Sequence, residues 1–477
     1  MGGSKEDEAF HPSQVYIQYP RIGSKERAHF IGNMNCIEST STKTSHRKVT
    51  AVVVGAGNRG KNYANYAIQF PDFFDVVAVA EPRRHAREYF QHNHSIETEK
   101  CFDGWETLVL QPRLADCAIV ATQDQDHVKP TVKLAKIGYH ILLEKPMAVT
   151  EEDCRTIYEA CQEAGVMLAV CHVFRYHPPA RKLKELIDSG LIGEVVNINH
   201  TEPVGFYHFA HSFVRGNWRN EKSSTFSLLA KCCHDVDLIA FWMGNKKCTK
   251  LSSFGSLHHF RKEKKPEGAS ARCLDCKIET TCPYSAKKIY LDPEPLKPQW
   301  PMSVVCDIED APEGYLARLT EAVRTGPYGK CVYDTDNDVC DNQVVNFEFS
   351  DGATATLTMI AFSQQLCNRK AEVYGTLGQL VWDESKGHKI DHYDFLTRTS
   401  QVHHCEQESP LGWGHGGADY HLIKAFVEAV ASNDTTLISS GPKISLETHL
   451  LTFAAEHSRK SSTIVRPNED SRWMVQQ

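Results

Sequence analysis

The sequence contains no apolar run approaching the roughly 20 residues that a membrane-spanning helix needs. Its first thirty residues also lack the apolar core of a secretion signal. Basic excess is missing too. With 53 Lys and Arg against 60 Asp and Glu, the net charge is −7, which gives nucleic acid no electrostatic foothold. The opening MGGSKE begins like a myristoylation signal but carries Glu6 where Ser or Thr is required, so no lipid anchor is expected. A disulfide framework is excluded by number and spacing: 17 cysteines, an odd count, are scattered over 477 residues and suit a reducing compartment. These absences lead to the expectation of a cytoplasmic protein that engages neither membrane nor nucleic acid. Its length allows two domains with substantial cores.

Residues 1–47 show no sustained periodicity and are rich in Ser, Lys, Glu and His, so a flexible extension is expected there. Order begins abruptly at KVTAVVVGAGNRGKNYANYAIQF. An apolar strand runs into Gly55, Gly57 and Gly60, and a helix-like stretch follows. That strand, glycine turn and helix order makes GxGxxG a credible dinucleotide loop. The first glycine serves the tight turn, the second lets backbone approach a pyrophosphate, and the third lets the helix pack on the strand. The next strand, FDVVAVAEP, ends in Glu81, 21 residues after Gly60, where a carboxylate accepts ribose hydroxyls and repels a 2′-phosphate. NAD is therefore expected over NADP, although Arg83 and Arg84 stand close enough to serve a phosphate. An unbroken apolar run, ADCAIVAT, a helix capped by Asp124 or Asp126 and ended by Gly138, and a further strand, YHILLEKP, continue the alternation. Ligands of a doubly wound sheet sit at the carboxyl ends of its strands, so Glu144 and Lys145 emerge on the same edge as the glycine loop.

A glycine-rich Rossmann unit followed by a strand ending in Glu-Lys-Pro resembles the Gfo/Idh/MocA oxidoreductases, and the resemblance covers roughly residues 48–470. It implies an N-terminal Rossmann domain (48–172) and a C-terminal α+β domain (173–470) with a large mixed, mainly antiparallel sheet, followed by a tail at 471–477. It further implies a sugar, glycoside or cyclitol as substrate and a homodimer or homotetramer paired through that sheet. In the family the lysine of this motif lies beside the nicotinamide and the reacting hydroxyl, which implies a catalytic role for Lys145. Asn58 and Arg59 in the glycine loop, Thr122 and His127 after the third strand, Glu144, and Arg175 where the chain leaves the first domain complete the expected cofactor contacts.

The second half yields two hairpins, NQVVNFEFSDGATATLTMIAF and KAEVYGTLGQLVWDES. It also holds an apolar helix, STFSLLAKCCHDVDLIAFWMG, expected to be capped by Ser224 or Thr225. Lys231, His234 and Asp235 interrupt its apolar surface, and charges on so apolar a helix must be paired or used. The family has an Asp and a His four apart on this helix, the His acting on the substrate hydroxyl. His234 keeps that position, but Ala230 stands where the Asp belongs and Lys231 follows it. His234 is therefore expected to handle the proton and Lys231 to add a positive charge or a hydrogen bond to the substrate, with Asp235 beside them. Trp218, Arg219 and His415 fall in stretches that resemble substrate loops, while Cys171 and His172 either border the nicotinamide or fill the core.

In an insert at about 255–330, Cys273, Cys276 and Cys282 have the C-x2-C-x5-C spacing that can grip a tetrahedral zinc, with Cys331 the preferred fourth ligand. Cys306 and His258 or His259 are alternatives for it, and free thiols or an iron–sulfur cluster are alternatives to zinc. The reason to expect a metal is that an insert with little apolar sequence of its own gains much from a staple. Two further functional readings stay open: a glycosidase that oxidises, eliminates and reduces so that NAD is recycled, and a dinucleotide-binding sensor without turnover.

Overall fold

The computed structural model describes residues 47–293, 299–306, 314–405, 409–410, 413–468 and 473–475. The expected N-terminal extension, through residue 46, lies outside them, as do parts of the insert and tail. Among the described residues no helix is long and apolar enough to cross a membrane.

The first sheet comprises β1 (Val49–Val54), β2 (Phe74–Ala80), β3 (Cys101–Phe102), β4 (Cys117–Val120), β5 (His140–Leu143) and β6 (Leu168–Val170). All are parallel, in the order β3-β2-β1-β4-β5-β6. Strands such as β1 and β4 are apolar on both faces because helices cover both. The helices are α1 (Asn58–Gln69), α2 (Arg84–His94), α3 (Val128–Ile137) and α4 (Glu151–Glu163). Strand order reverses between β1 and β4, which opens a crevice at their carboxyl ends. As expected, Gly138 ends α3 in the left-handed conformation (φ +95°). Asp124 and Asp126 do not cap α3. They form a 3-10 turn before it, and the Asp124 carboxylate accepts from Trp218 Nε1 (2.9 Å) and Ser224 Oγ (3.2 Å) instead.

Crossing to the second half, the chain forms α5 (Pro178–Asp188), β7 (Val195–Pro203), α6 (Ser227–Met243), β8 (Cys248–Ser256) and α7 (Tyr315–Thr325). Both expected hairpins follow: β9 (Asn342–Phe349) with β10 (Thr354–Ile360), then β11 (Lys370–Gly375) with β12 (Gly378–Asp383). The outer strands β13 (Lys389–Asp394) and β14 (Thr399–His404), helices α8 (Ala418–Ser432) and α9 (Pro442–Ser461), and edge strands β15 (Val465–Pro467) and β16 (Trp473–Val475) complete it. The sheet order is β14-β13-β12-β11-β7-β10-β9-β8-β15-β16, antiparallel throughout except for the β7–β10 pair. Part of the expected tail is thus an edge strand. Alternation sends Val345, Phe347 and Phe349 of β9 inward, against the layer formed by α6 and α9. Helix α6 begins at Ser227 without a side-chain cap, so neither Ser224 nor Thr225 serves that purpose.

The halves are not separate in packing. Leu446 and Leu450 of α9 join the apolar cluster of the first sheet, and His449 Nε2 accepts the Met147 N–H at 2.8 Å. The insert differs from expectation. Ala286, Ile289, Tyr290, Met302, Tyr315, Leu319, Val323 and Tyr328 give it an apolar core of its own. The buried Arg215 guanidinium ties it together, donating to Tyr284 O (2.7 Å), Lys330 O (2.8 Å) and Cys273 Sγ (3.3 Å). Cys273, Cys276, Cys282 and Cys331 do line one cavity of about 150 Å³ with Arg215. Among the described residues, however, no three His, Cys, Asp or Glu side chains are placed to hold a metal ion. The zinc expectation is thus unsupported by the described geometry, in which aromatic packing and a guanidinium supply cross-links of their own.

Because α9 completes the first core, Leu450→Ala should lower the unfolding free energy by about 2–4 kcal/mol, within the usual range for a buried leucine. Denaturant unfolding followed by near-UV circular dichroism should show one shifted transition common to both halves.

Candidate active site

The glycine loop meets the steric demands of its position. Gly55 has φ +94°, and a Cβ there would lie 2.4 Å from the Ala121 carbonyl oxygen. A Cβ on Gly60 would lie 2.1 Å from the Gly55 carbonyl oxygen. Gly57 differs: the nearest atom to its Cβ would be Arg83 Nη2 at 3.8 Å, so the space it keeps clear is open. Helix α1 begins beside that space with no side-chain cap and no acidic residue in its first turn, which leaves its N–H groups for an anion. A pyrophosphate fits this cradle. Glu81, buried at the end of β2, accepts from Ala56 N–H (2.7 Å) and from the Arg83 side chain (2.8 Å). Burial works against its charge, yet the Arg83 hydrogen bonds hold its carboxyl below the ordinary value.

Glu144 and Lys145 leave β5 toward this edge. Glu144 Oε1 accepts from Arg59 Nε (2.6 Å) and Tyr63 OH (2.9 Å), while Oε2 accepts the Lys145 N–H (2.7 Å). Arg59 reaches on to Asp419 at the start of α8 (2.7 and 3.0 Å) and also donates to Tyr63. Asn62 and His415 complete the shell of Asp419 at 2.7 and 3.1 Å. Arg59 is therefore committed to carboxylates rather than open to a phosphate. His127 likewise holds the loop: its ring nitrogens face Pro146 O (2.8 Å) and Thr122 O (3.3 Å).

Lys145 Nζ donates to the carbonyl oxygen of Ala230 on α6 at 2.7 Å. One helical turn further stands His234, buried, its Nδ1 without a hydrogen-bond partner among the described residues. Burial, then the nearby Lys145 charge, push His234 well below the usual imidazole range, so it is neutral. The His172 and His415 rings lie 5.8 and 6.3 Å from it, and Phe174 at 5.5 Å closes the group. Both His172 nitrogens are also unpartnered among the described residues, so His172 borders the site as well as filling it.

Other expected residues lie elsewhere. Lys231 turns away to Cys367 Sγ (2.9 Å) and Glu202 (3.3 Å), whose attraction outweighs burial and keeps it charged. Asp235 is enclosed between Arg369 (2.8 Å) and His200 (2.7 Å), its carboxyl lowered to about 2 against burial by those partners. It is a structural anion without an open side. Arg219 pairs with Asp336 (2.8 Å), and Trp218 anchors its loop to Asp124 across the crevice. Arg175 binds Asp237 (2.6 Å) and lines a pocket that includes none of the glycine loop. Tyr63, Glu202 and Arg369 had no local signal in the sequence.

Profiles of two domains match the chain: the oxidoreductase family's NAD-binding Rossmann fold over residues 49–172, and its C-terminal alpha/beta domain over 184–441. The chain belongs to the Gfo/Idh/MocA oxidoreductase family. One relative is the 2,7-anhydro-N-acetylneuraminate hydratase of Escherichia coli (strain K12), 31% identical over 209 residues. That match covers 43% of this chain and 53% of that protein, so the chain spans about half the length of this relative. The fold is shared with levoglucosan dehydrogenase in complex with NADH and levoglucosan (TM-score 0.64, 16% identity, 88% of this chain and 99% of that one). It is also shared with an inositol dehydrogenase homolog complexed with NAD+ from Azotobacter vinelandii (TM-score 0.63, 16% identity, 92% and 100%).

The loop geometry separates two substitutions in this family member. Gly57→Ala should leave the melting temperature within about 2 °C while weakening NAD binding at least about tenfold, a cost near 1.4 kcal/mol. Gly55→Ala, strained and blocked, should unfold the protein several degrees earlier. Thermal melts and NAD titration by fluorescence check both.

Proposed function

We propose that the protein is an NAD-dependent oxidoreductase acting on a ring CH–OH of a sugar, glycoside or cyclitol, with Lys145 and His234 handling the proton. The observation that carries this reading is the 2.7 Å bond from Lys145 Nζ to Ala230 O, which holds the lysine one helical turn from a neutral His234. NAD, when bound, supplies the hydride acceptor. The hydroxyl proton leaves toward the Lys145–His234 pair while the carbon's hydride is transferred, so the alcohol becomes a carbonyl. Glu144, fixed by Arg59 and Tyr63, orients Lys145, and His415 and His172 flank the place for the substrate ring. NAD is favoured over NADP because Glu81 stays charged and its neighbour Arg83 is already paired with it. A non-catalytic sensor would need the glycine loop but neither proton-handling group.

In the same reading, residues 48–172 bind the cofactor in the cytoplasm and 173–470 bind substrate. Copies pair through the uncovered face of the large sheet, where Val196, Phe254 and Tyr393 are exposed. Light scattering should accordingly give a dimer or tetramer, and a monomer at micromolar concentration would remove that pairing.

The match to a hydratase favours one further reading, in which the same residues oxidise a ring hydroxyl, permit elimination and then reduce the intermediate, so that NAD is recycled. Incubation with NAD and a panel of sugars, anhydrosugars, inositols and chromogenic glycosides distinguishes the two. Net NADH without bond cleavage supports a dehydrogenase. Cleavage or hydration that needs NAD yet accumulates no NADH supports recycling. In either case Lys145→Ala should cut turnover at least about 100-fold, in the range of lost acid–base catalysis, and leave NAD affinity within about twofold. Full activity in that variant would remove the mechanism.

A further inference from the structure

Behind the catalytic helix lies a second pocket, of about 450 Å³, between α5, α6, α8 and the segment before α9. Its size is that of a small-molecule site, and none of Lys145, His234 or the glycine loop lines it. Arg175 stands in its wall, buried to 6% exposure, with Nε bonded to Asp237 Oδ2 at 2.6 Å and its guanidinium over the Phe241 ring at 4.9 Å. No hydrogen bond from either Nη is found among the described residues, and neither is a buried unsatisfied atom, so this edge is open to solvent in the pocket. An open guanidinium edge in a pocket wall suits an oxyanion, because planar paired N–H groups match two oxygens of a phosphate or carboxylate.

The remaining lining agrees. Arg181, exposed on α5, has no acidic partner among the described residues and brings an uncompensated positive charge to the rim. Lys424 contributes a second ammonium, though Glu428 at 2.5 Å offsets its charge. Asp237 offsets Arg175 in the same way, so the lining keeps one net positive charge, carried by Arg181. Ser439 adds a hydroxyl suited to a polar body attached to the anion, while the Thr436 hydroxyl donates to Asp434 (2.7 Å). From this arrangement we infer a second binding site, distinct from the cofactor crevice, for a small polar molecule carrying a phosphate or carboxylate group. Arg175 grips the oxyanion and Arg181 supplies its charge balance. Its placement matters for the first site, since Asp237, the partner of Arg175, lies three residues beyond His234 on α6.

Calorimetric titration of the NAD-saturated protein tests this, with the glycine loop already filled. Inorganic phosphate, malonate and glucose 6-phosphate are the probes, at constant ionic strength. At least one should bind one-to-one with a Kd below about 1 mM, and the strongest tells phosphate from carboxylate. Arg181→Ala should weaken it about tenfold with the melting temperature and NAD affinity unchanged. Arg175→Lys, which can keep a charge beside Asp237 but loses the fork, should weaken it further. Should Arg175→Lys fail to fold, the Arg181→Ala comparison decides alone. The site is overturned if no probe saturates by 10 mM, a limit about tenfold above the expected Kd, or if binding is indifferent to Arg181→Ala.

Discussion

One partly buried guanidinium organises the edge of the cofactor crevice. Arg59 on α1 bonds Glu144 at the end of β5 and Asp419 at the start of α8, residues 275 positions apart in the chain. Placing the two carboxylates out of water costs several kcal/mol per ion, and only close, multiply bonded geometry offsets that cost. The geometry here is of that kind: Asp419 has four donors around it, and its carboxyl is driven far below the carboxylate range by Arg59 and His415 against the pull of burial. Two acids against one arginine leave one negative charge over. Lys145, whose N–H is bonded to Glu144, stands next to that surplus. An acid and a lysine side by side at a strand end thus make sense: the acid belongs to the clamp, and the lysine both balances it and extends toward α6.

How much of this could be read from the chain follows from distance along it. Gly55, Gly57 and Gly60, the alternating strands and helices, and Glu144-Lys145-Pro146 are contiguous signals, and each led to the correct element. The network around them is not contiguous. Arg59 and Asp419 are 360 residues apart and Arg369 and Asp235 are 134 apart, so no spacing rule links them. Asp235 reads as a ligand for the same reason. A charge on an apolar background must be paired or used, and the sequence displays the charge without its partner. In the insert the aromatic residues were undervalued. Tyr290, Tyr315 and Tyr328 bury enough ring surface, with Met302 and Leu319, to make a core without a metal.

Ala230, where the family resemblance implies an acid, offers Lys145 its carbonyl oxygen instead of a side chain. An acid at this position would meet Lys145 with a full negative charge. A peptide carbonyl meets it with a dipole and at the same hydrogen-bond length, so the lysine is positioned by backbone that a side-chain change cannot move. The Lys231 charge is answered by Glu202, within a balanced group of two cations and two carboxylates that includes Arg369 and Asp235. That group fastens α6 to β7, and it leaves the substrate side of the helix with His234 and a methyl group. Under the proposed function, less side-chain volume and less negative charge there would select the ring facing Lys145 by fit against Ala230 and by hydrogen bonds to His234, His172 and His415. Under that proposal, substrate choice on this face of α6 would be separated from the proton chemistry assigned to Lys145 and His234.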